Sequence, residues 1–322
     1  MKAIVLTKPG GVENLVIREV PIPTLKDNEV LVQVKAISIN PVDAFIRTDE
    51  TFLRHVLVIH PRLYSTTTII LGWDISGVVT ATGKSVTRFK KGDEVFGMVN
   101  FEGQGKAYAE YVAAPEEHLA LKPAGTTHEE AAAATLAALT AWQSLVTYAK
   151  IKKGDKVLIH SAAGGVGHYA VQIAKYFGAY VIGTSSAANK DFVLGLGADQ
   201  HIDYSRQRFE EIVTDADIVL DSVQGEDHLH RSVAALKKGG RLISILNFFL
   251  DEDLLKKIKE KEIYAYRLEV KSNGQDMRSI AGLLEKGALH SHVSKTFPFT
   301  GMAEAHTQVA TGKTRGKIVI TL

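Results

Sequence analysis

The stretch Lys156-Val-Leu-Ile-His-Ser-Ala-Ala-Gly-Gly-Val-Gly167 decides the fold. An apolar strand runs into small residues and then into an amphipathic helix, with Val166, Ala170, Ile173 and Ala174 on one face. Glycines at such a junction permit a tight turn, close approach of the backbone to a pyrophosphate, and close packing of helix on strand. The helix N-terminus then offers unpaired N–H groups and a positive dipole end. Against the dinucleotide pattern G-x-G-x-x-G, Gly164 and Gly167 fill the second and third positions, while Ala162 stands at the first. The same glycines also suit a plain strand-to-helix connection, so the surroundings must decide. Strands fit 156–160, 180–183, 200–202, 217–221 and 241–246, and helices fit 166–177, 190–196, 209–213 and 229–236. That alternation points to βαβ units and a doubly wound parallel sheet.

Upstream the character differs. Lys2 to Leu6, Val16 to Glu19 and Glu29 to Ser38 are rich in Val and Ile, and further strand-like runs lie at 76–80, 94–99 and 107–113. Val30, Val32 and Val34 give one uniformly apolar face, as a half-buried strand requires. Glycines between the runs favour a twisted antiparallel barrel or sandwich. After Pro123, Thr127-His-Glu-Glu130 reads as a capping box opening an alanine-rich helix expected to reach about Ala149. A charged helix (251–262), a strand (263–270) and a last helix (278–286) precede a strand-like tail that is expected to rejoin the first domain. The expected division is therefore residues 1–125 completed by 288–322, and 126–287.

The chain has 322 residues, 45% hydrophobic and 23% charged, enough for two globular domains. A net charge of +2 gives no reason to expect nucleic acid or an anionic membrane as partner. Without cysteine there is no disulfide, thiolate nucleophile or thiolate metal site. The N-terminus is a β-like run and the most apolar helical stretch, 131–142, is too short for a membrane span, so a cytoplasmic protein is expected.

The second strand end bears on the cofactor. NAD sites place Asp or Glu about 20 residues beyond the glycine turn, for the ribose hydroxyls. Here 168–190 holds no acidic residue and ends in Ser185, Ser186 and, a turn on, Lys190. Hydroxyl donors and an ammonium suit the 2′-phosphate of NADPH. The competing reading is a solvated loop and helix start.

Asn40-Pro-Val-Asp43, Gly72-Trp-Asp-Ile-Ser-Gly77, Gly92-Asp-Glu-Val-Phe-Gly97, Tyr108-Ala-Glu-Tyr111, Leu139-Thr-Ala-Trp142, Ala162 to Gly167, Gly197-Ala-Asp199 and Arg315-Gly-Lys317 occur in that order. With them the chain resembles, almost end to end, the zinc-free quinone oxidoreductases of the medium-chain dehydrogenase/reductase superfamily, in which alanine at the first motif position is usual. The resemblance implies an α/β architecture: a six-stranded Rossmann domain and a mostly-β, GroES-like barrel domain closed by the tail. It implies NADPH, with the backbone of Ala163, Gly164, Gly165 and Val166 on the pyrophosphate beside Gly167. It also implies Ser186, Lys190 and Tyr204 around the 2′-phosphate, Leu246 and Asn247 after the strand facing the nicotinamide, and Asn40 and Thr135 near that ring. The stretch 51–70 has no counterpart in the pattern.

Zinc-dependent relatives use Cys and His ligands. The matching positions here fall in Ser38-Ile-Asn-Pro and at Trp73, and no His-Glu-x-x-His is present, so no metal is expected. His228-x-His230 and His290-x-His292 read as surface pairs. Without a metal or an evident base, reduction of a quinone or conjugated enone is less demanding than oxidation of an alcohol, because the product anion needs only hydrogen bonds and a solvent proton. Asn40 is the candidate donor. Asp43 reads as a helix cap, the Trp73-Asp74 pair as structural, and Tyr64 as either an acid or packing. The alternatives are an NADPH-binding protein without turnover and a zinc-free alcohol dehydrogenase. Strand 263–270, last in order, is expected at a sheet edge where a homodimer forms.

Overall fold

The computed structural model describes residues 1–60, 68–225, 227–246 and 250–322, which form two compact units, Met1–Leu139 with Lys271–Leu322, and Thr140–Val270. The first begins with β1 (Lys2–Leu6), β2 (Leu15–Glu19), β3 (Glu29–Ile39), α1 (Pro41–Thr48), α2 (Glu50–Val56), β4 (Ile69–Ile70), β5 (Asp74–Thr82), β6 (Glu94–Met98), β7 (Tyr111–Pro115), β8 (Leu119–Leu121) and α3 (His128–Ala133), and α4 (Leu136–Trp142) crosses the boundary. The second holds β9 (Lys156–Ile159), α5 (Gly167–Tyr176), β10 (Tyr180–Ser185), α6 (Lys190–Gly195), β11 (Gln200–Asp203), α7 (Phe209–Ile212), β12 (Ala216–Asp221), α8 (His228–Ala235), β13 (Leu236–Ser244), α9 (Glu252–Glu260) and β14 (Tyr264–Arg267). The chain then returns to the first unit with α10 (Gly274–Glu285), β15 (Val293–Pro298), α11 (Met302–Ala310) and β16 (Lys317–Thr321).

In the first unit a small sheet runs β2-β1-β4, and a larger one β15-β16-β3-β5-β6-β8 with β7 also on β3. β16 lies antiparallel on β3, Ile318 opposite Ile39, so the tail completes this unit as its alternating sequence suggests. Val30, Val32 and Val34 are buried, while Leu31, Gln33 and Lys35 on the other face are half-buried. The strand expected over 107–113 starts only at Tyr111. Ala107 to Ala109 instead run buried beside β1, where Ile4 N donates to Tyr108 O at 2.8 Å.

The second unit is a six-stranded parallel sheet in the order β11-β10-β9-β12-β13-β14. Leu158, Ile182, Val219 and Leu242 from neighbouring strands pack with Phe209, Val233 and Leu254 from the helices. Burial of this apolar face drives the stacking of helix on sheet.

Two boundaries differ from expectation. Residues 126–139 and 271–287 belong with the first unit, because α3 packs on β3, β5 and β16, and α10 packs on β8. At the start of α10, a Cβ on Gly274 would lie 2.5 Å from Glu117 O, so the helix docks at a distance only glycine permits. The alanine-rich helix is also interrupted. The Thr127–Glu130 capping box forms, but α3 ends at Ala133, α4 starts at Leu136, and a π-helical turn follows over Gln143–Tyr148. The break occurs where Leu136 N–H donates to Asp74 Oδ1 at 3.0 Å. A carboxylate far away in sequence has taken the helical hydrogen bond. Among the described residues, no helix is long and apolar enough to cross a membrane.

Candidate functional site

The glycine turn is built almost wholly from backbone. Gly164 N donates to Ser161 O at 2.8 Å, and a Cβ on Gly167 would lie 2.1 Å from that same oxygen. Ala162 takes the place of a glycine because β10 gives way: a Cβ on Gly183 would meet the Ala162 Cβ at 2.8 Å. α5 begins at Gly167, and its N-cap, Val166, supplies no side-chain acceptor; in its first turn His168 N donates to Gly164 O at 3.1 Å and Ala170 N to Val166 O at 3.0 Å. Ala163 is buried, and Gly164, Gly165 and Val166 are half-buried along the turn. Such a cradle, which side chains would fill, fits a dinucleotide pyrophosphate.

At the ends of β10 and β11, Ser185 pairs with Asp203, and Tyr204 N donates to Ser185 O at 3.3 Å. Tyr204 and Lys190 are exposed, and Ser186 Oγ accepts from Asn189 Nδ2 at 3.2 Å. The Ser185 hydroxyl meets a side chain of β11. It is buried, 2.8 Å from His201 Nε2. Burial holds the His201 imidazole below its usual range, with Asp203 pulling it up and the Lys190 charge pushing it down. His201 therefore belongs to this group, and nothing in its sequence context marks it. Leu246 follows β13 half-buried, its N–H donating to Ser244 Oγ at 3.4 Å, while Asn247 and Tyr64 lie outside the described residues.

In the first unit, Asn40 closes β3 and caps α1. Its backbone N–H donates to Asp43 Oδ2 at 2.8 Å, so Asp43 is the cap expected of it. The Asn40 side chain is gripped at both ends: Nδ2 donates to Asp74 Oδ2 at 2.7 Å, and Oδ1 accepts from the Lys317 ammonium, which also donates to Ile39 O at 3.1 Å. Asp74 further accepts from Leu136 N, and the Thr135 hydroxyl, which donates to Ala132 O at 2.7 Å, lies beside it and helps hold its carboxyl down. Asn40, Asp43, Asp74, Thr135 and Lys317 are all buried. Burial pushes the Asp74 carboxyl up and the Lys317 ammonium down, and each charge pulls the other back. Asp43 is lifted to about 7, chiefly by burial, with the Asn40 N–H opposing and Asp74 adding to the rise. Tyr108 adjoins Asp43, its hydroxyl 3.0 Å from His306 Nε2, and burial holds that imidazole at about 3. The expected Asn40 and Thr135 thus meet, but through Asp74 and Lys317. Asp74 reads in sequence as a structural neighbour of Trp73, and Lys317 only as part of a motif.

Residues 26–124 match the alcohol dehydrogenase GroES-like domain, and 196–320 match the zinc-binding dehydrogenase family. A 2-methylene-furan-3-one reductase of Solanum lycopersicum is 32% identical, over 99% of this chain and 79% of the relative. An NADPH-dependent alkenal/one oxidoreductase of Arabidopsis thaliana is 31% identical over the same shares. The structure of the quinone oxidoreductase from Coxiella burnetii superposes with a TM-score of 0.90 at 33% identity, covering 100% of this chain and 99% of that one. The chain belongs to the zinc-free quinone oxidoreductases of the medium-chain dehydrogenase/reductase superfamily. Its architecture is the family's: a GroES-like unit and a Rossmann-like parallel sheet.

The zinc of that superfamily's metal-dependent branch does not fit this oxidoreductase. Trp73 is buried, and its Nε1–H donates to Gly103 O at 2.8 Å, leaving no lone pair for a metal. The buried Lys317 ammonium already supplies positive charge beside Asp74. Among the described residues one other group has metal-ligand chemistry, His160, Asp221 and His228, with ligand atoms within 4.8 Å of one another. Here the surface-pair expectation fails: His228 lies in α8, nine-tenths buried, 3.1 Å from Asp221 Oδ1. Ser244 Oγ donates to Asp221 Oδ2 at 3.0 Å, Thr184 Oγ1 lies 3.1 Å from His160 Nδ1, and the Arg231 charge bears on His160. That positive charge opposes a cation, and the group ties β9, β12 and α8 together.

Proposed function

We propose that this chain is an NADPH-dependent reductase of quinones or α,β-unsaturated carbonyls. The observation that carries the reading is the Asn40 amide, held between a buried ammonium and a buried carboxylate. The cofactor, when bound, supplies the hydride. The Ala163–Gly167 backbone and the α5 N-terminus hold its pyrophosphate, and Ser186, Lys190 and Tyr204, with no carboxylate over 168–190, favour the 2′-phosphate. Asn40 spends one Nδ2 hydrogen on Asp74; in this reading the second meets a substrate oxygen that gains negative charge. A donor of this kind suits an enolate or quinol anion, which solvent then protonates. It does not suit abstraction of an alcohol proton.

The test is cofactor oxidation with a panel of quinones, alkenals and simple alcohols, under NADPH and NADH. Turnover of quinone or enone with NADPH is expected. Cofactor binding without turnover favours a binding protein, and comparable alcohol oxidation favours a dehydrogenase. The reading includes a homodimer through β14, which forms the sheet edge with Tyr264 exposed. A light-scattering mass of one chain at micromolar concentration counts against it.

A further inference from the structure

We propose that Lys317 is a positioning residue of this reductase: its buried ammonium fixes the direction of the Asn40 amide and strengthens it as a donor. The inference rests on the reading of Asn40 given above.

An asparagine amide has an acceptor end and a donor end of nearly equal shape, and only its partners decide which way it points. Here the decision is complete. Oδ1 faces the Lys317 ammonium, a donor with no acceptor capacity, and Nδ2 faces Asp74, which as a carboxylate only accepts. A flipped amide would set N–H against N–H and oxygen against oxygen.

Asp74 alone does not secure this. It is fully buried, burial pushes its carboxyl up, and Lys317 is the first of the groups that pull it back. Without Lys317, Oδ1 loses the donor that only an acceptor can face, and Asp74 alone is left to set the amide's direction. Lys317 also acts through the amide itself. A cation on Oδ1 draws electron density along the O–C–N unit and makes the remaining N–H a stronger donor. Its ammonium is held in turn by Ile39 O at 3.1 Å, at the end of the strand that delivers Asn40, so β3 and β16 set the geometry together.

The experiment compares Lys317→Met with the double variant Asp74→Asn/Lys317→Met, which removes the ion pair as a unit. Three quantities are measured: turnover with a quinone, NADPH affinity by fluorescence, and thermal unfolding. The Asn40 side-chain amide is followed in 15N–1H spectra, assigned by its loss in Asn40→Ala. Lys317→Met is expected to lower kcat by about a hundred- to a thousandfold, the scale of one lost oxyanion donor, with NADPH affinity within about threefold of wild type, a change of under about 0.7 kcal/mol. The double variant is expected to recover most of the unfolding temperature and to keep the low kcat. Recovery of turnover together with stability makes Lys317 merely structural and overturns the proposal. So does an Asn40 amide resonance that does not move in Lys317→Met, and this readout needs no turnover. A wild type inert towards quinones and enones, with the amide shift present, instead places the failure in the functional reading.

Discussion

The glycine turn and the Asn40 cluster are assembled in opposite ways. The turn takes its parts from one run, Ser161 to Gly167, and works through backbone. The cluster draws on residues 40–43, 74, 135–136 and 317, and works through side chains that are charged and buried. A backbone cradle does not depend on any one side chain. In a buried charged cluster each group is the solvation of another, so function and stability cannot be separated. Substitutions in the cluster should therefore cost folding free energy, whereas substitutions at the cofactor end should cost affinity alone.

The largest effect is expected from Asp74→Asn. It strands the Lys317 ammonium in the protein interior and weakens the acceptor that interrupts the α3–α4 helix. Breaking a buried pair from one side costs about 3–5 kcal/mol, read as a lower urea midpoint at unchanged slope. A loss within about 0.5 kcal/mol, the scale of a surface substitution, would break the comparison.

Asp43 comes next and acts through pH. Its folded pKa of about 7 lies above the ordinary 3.8. The native state thus holds a proton that the unfolded chain has released. The stabilisation is complete below the unfolded value and is lost as pH rises through the folded one. Between about pH 5 and pH 8, wild type should lose about 2–3 kcal/mol relative to Asp43→Asn, which keeps an oxygen for the Asn40 N–H. Parallel stability profiles for the two proteins would show that Asp43 is ionised throughout.

The same contrast explains what could be read from the sequence. The Rossmann strands follow from apolar runs punctuated by glycine, and the capping box at Thr127 and Glu130 from spacing alone, because both are local. Gly183 making room for Ala162 was not legible, since it joins two strands. Nor was the helix break at Thr135, because Leu136 gives its N–H to a carboxylate on β5. Lys317 looked like part of a motif, and its role appears only when β16 pairs with β3. His228 misled for the same reason: two histidines two apart resemble a surface pair until α8 buries the first against Asp221.

Cofactor choice gives the smallest change in stability and the sharpest test of the other half of the comparison. NADPH and NADH differ by one phosphate on the adenosine ribose, and that dianion needs donors free to meet it. Lys190 is exposed at the start of α6, beside the ends of β10 and β11, and its charge is felt by His201. The Ser185 hydroxyl is buried, 2.8 Å from His201 Nε2. Removing a charge-assisted hydrogen bond costs roughly 1.5–3 kcal/mol, so Lys190→Ala should weaken NADPH binding about ten- to a hundredfold. NADH makes no such contact and should bind Lys190→Ala as it binds wild type. Ser185→Ala should leave the ratio of the two affinities within about threefold, a difference of under about 0.7 kcal/mol. Unfolding of Lys190→Ala should stay within about 0.5 kcal/mol of wild type, as for other exposed positions. Titration of both cofactors by fluorescence decides the matter. Equal losses for NADPH and NADH in Lys190→Ala would show that this strand end is a solvated loop. A selectivity that collapses in Ser185→Ala instead would move recognition of the phosphate to the buried Ser185–His201 pair.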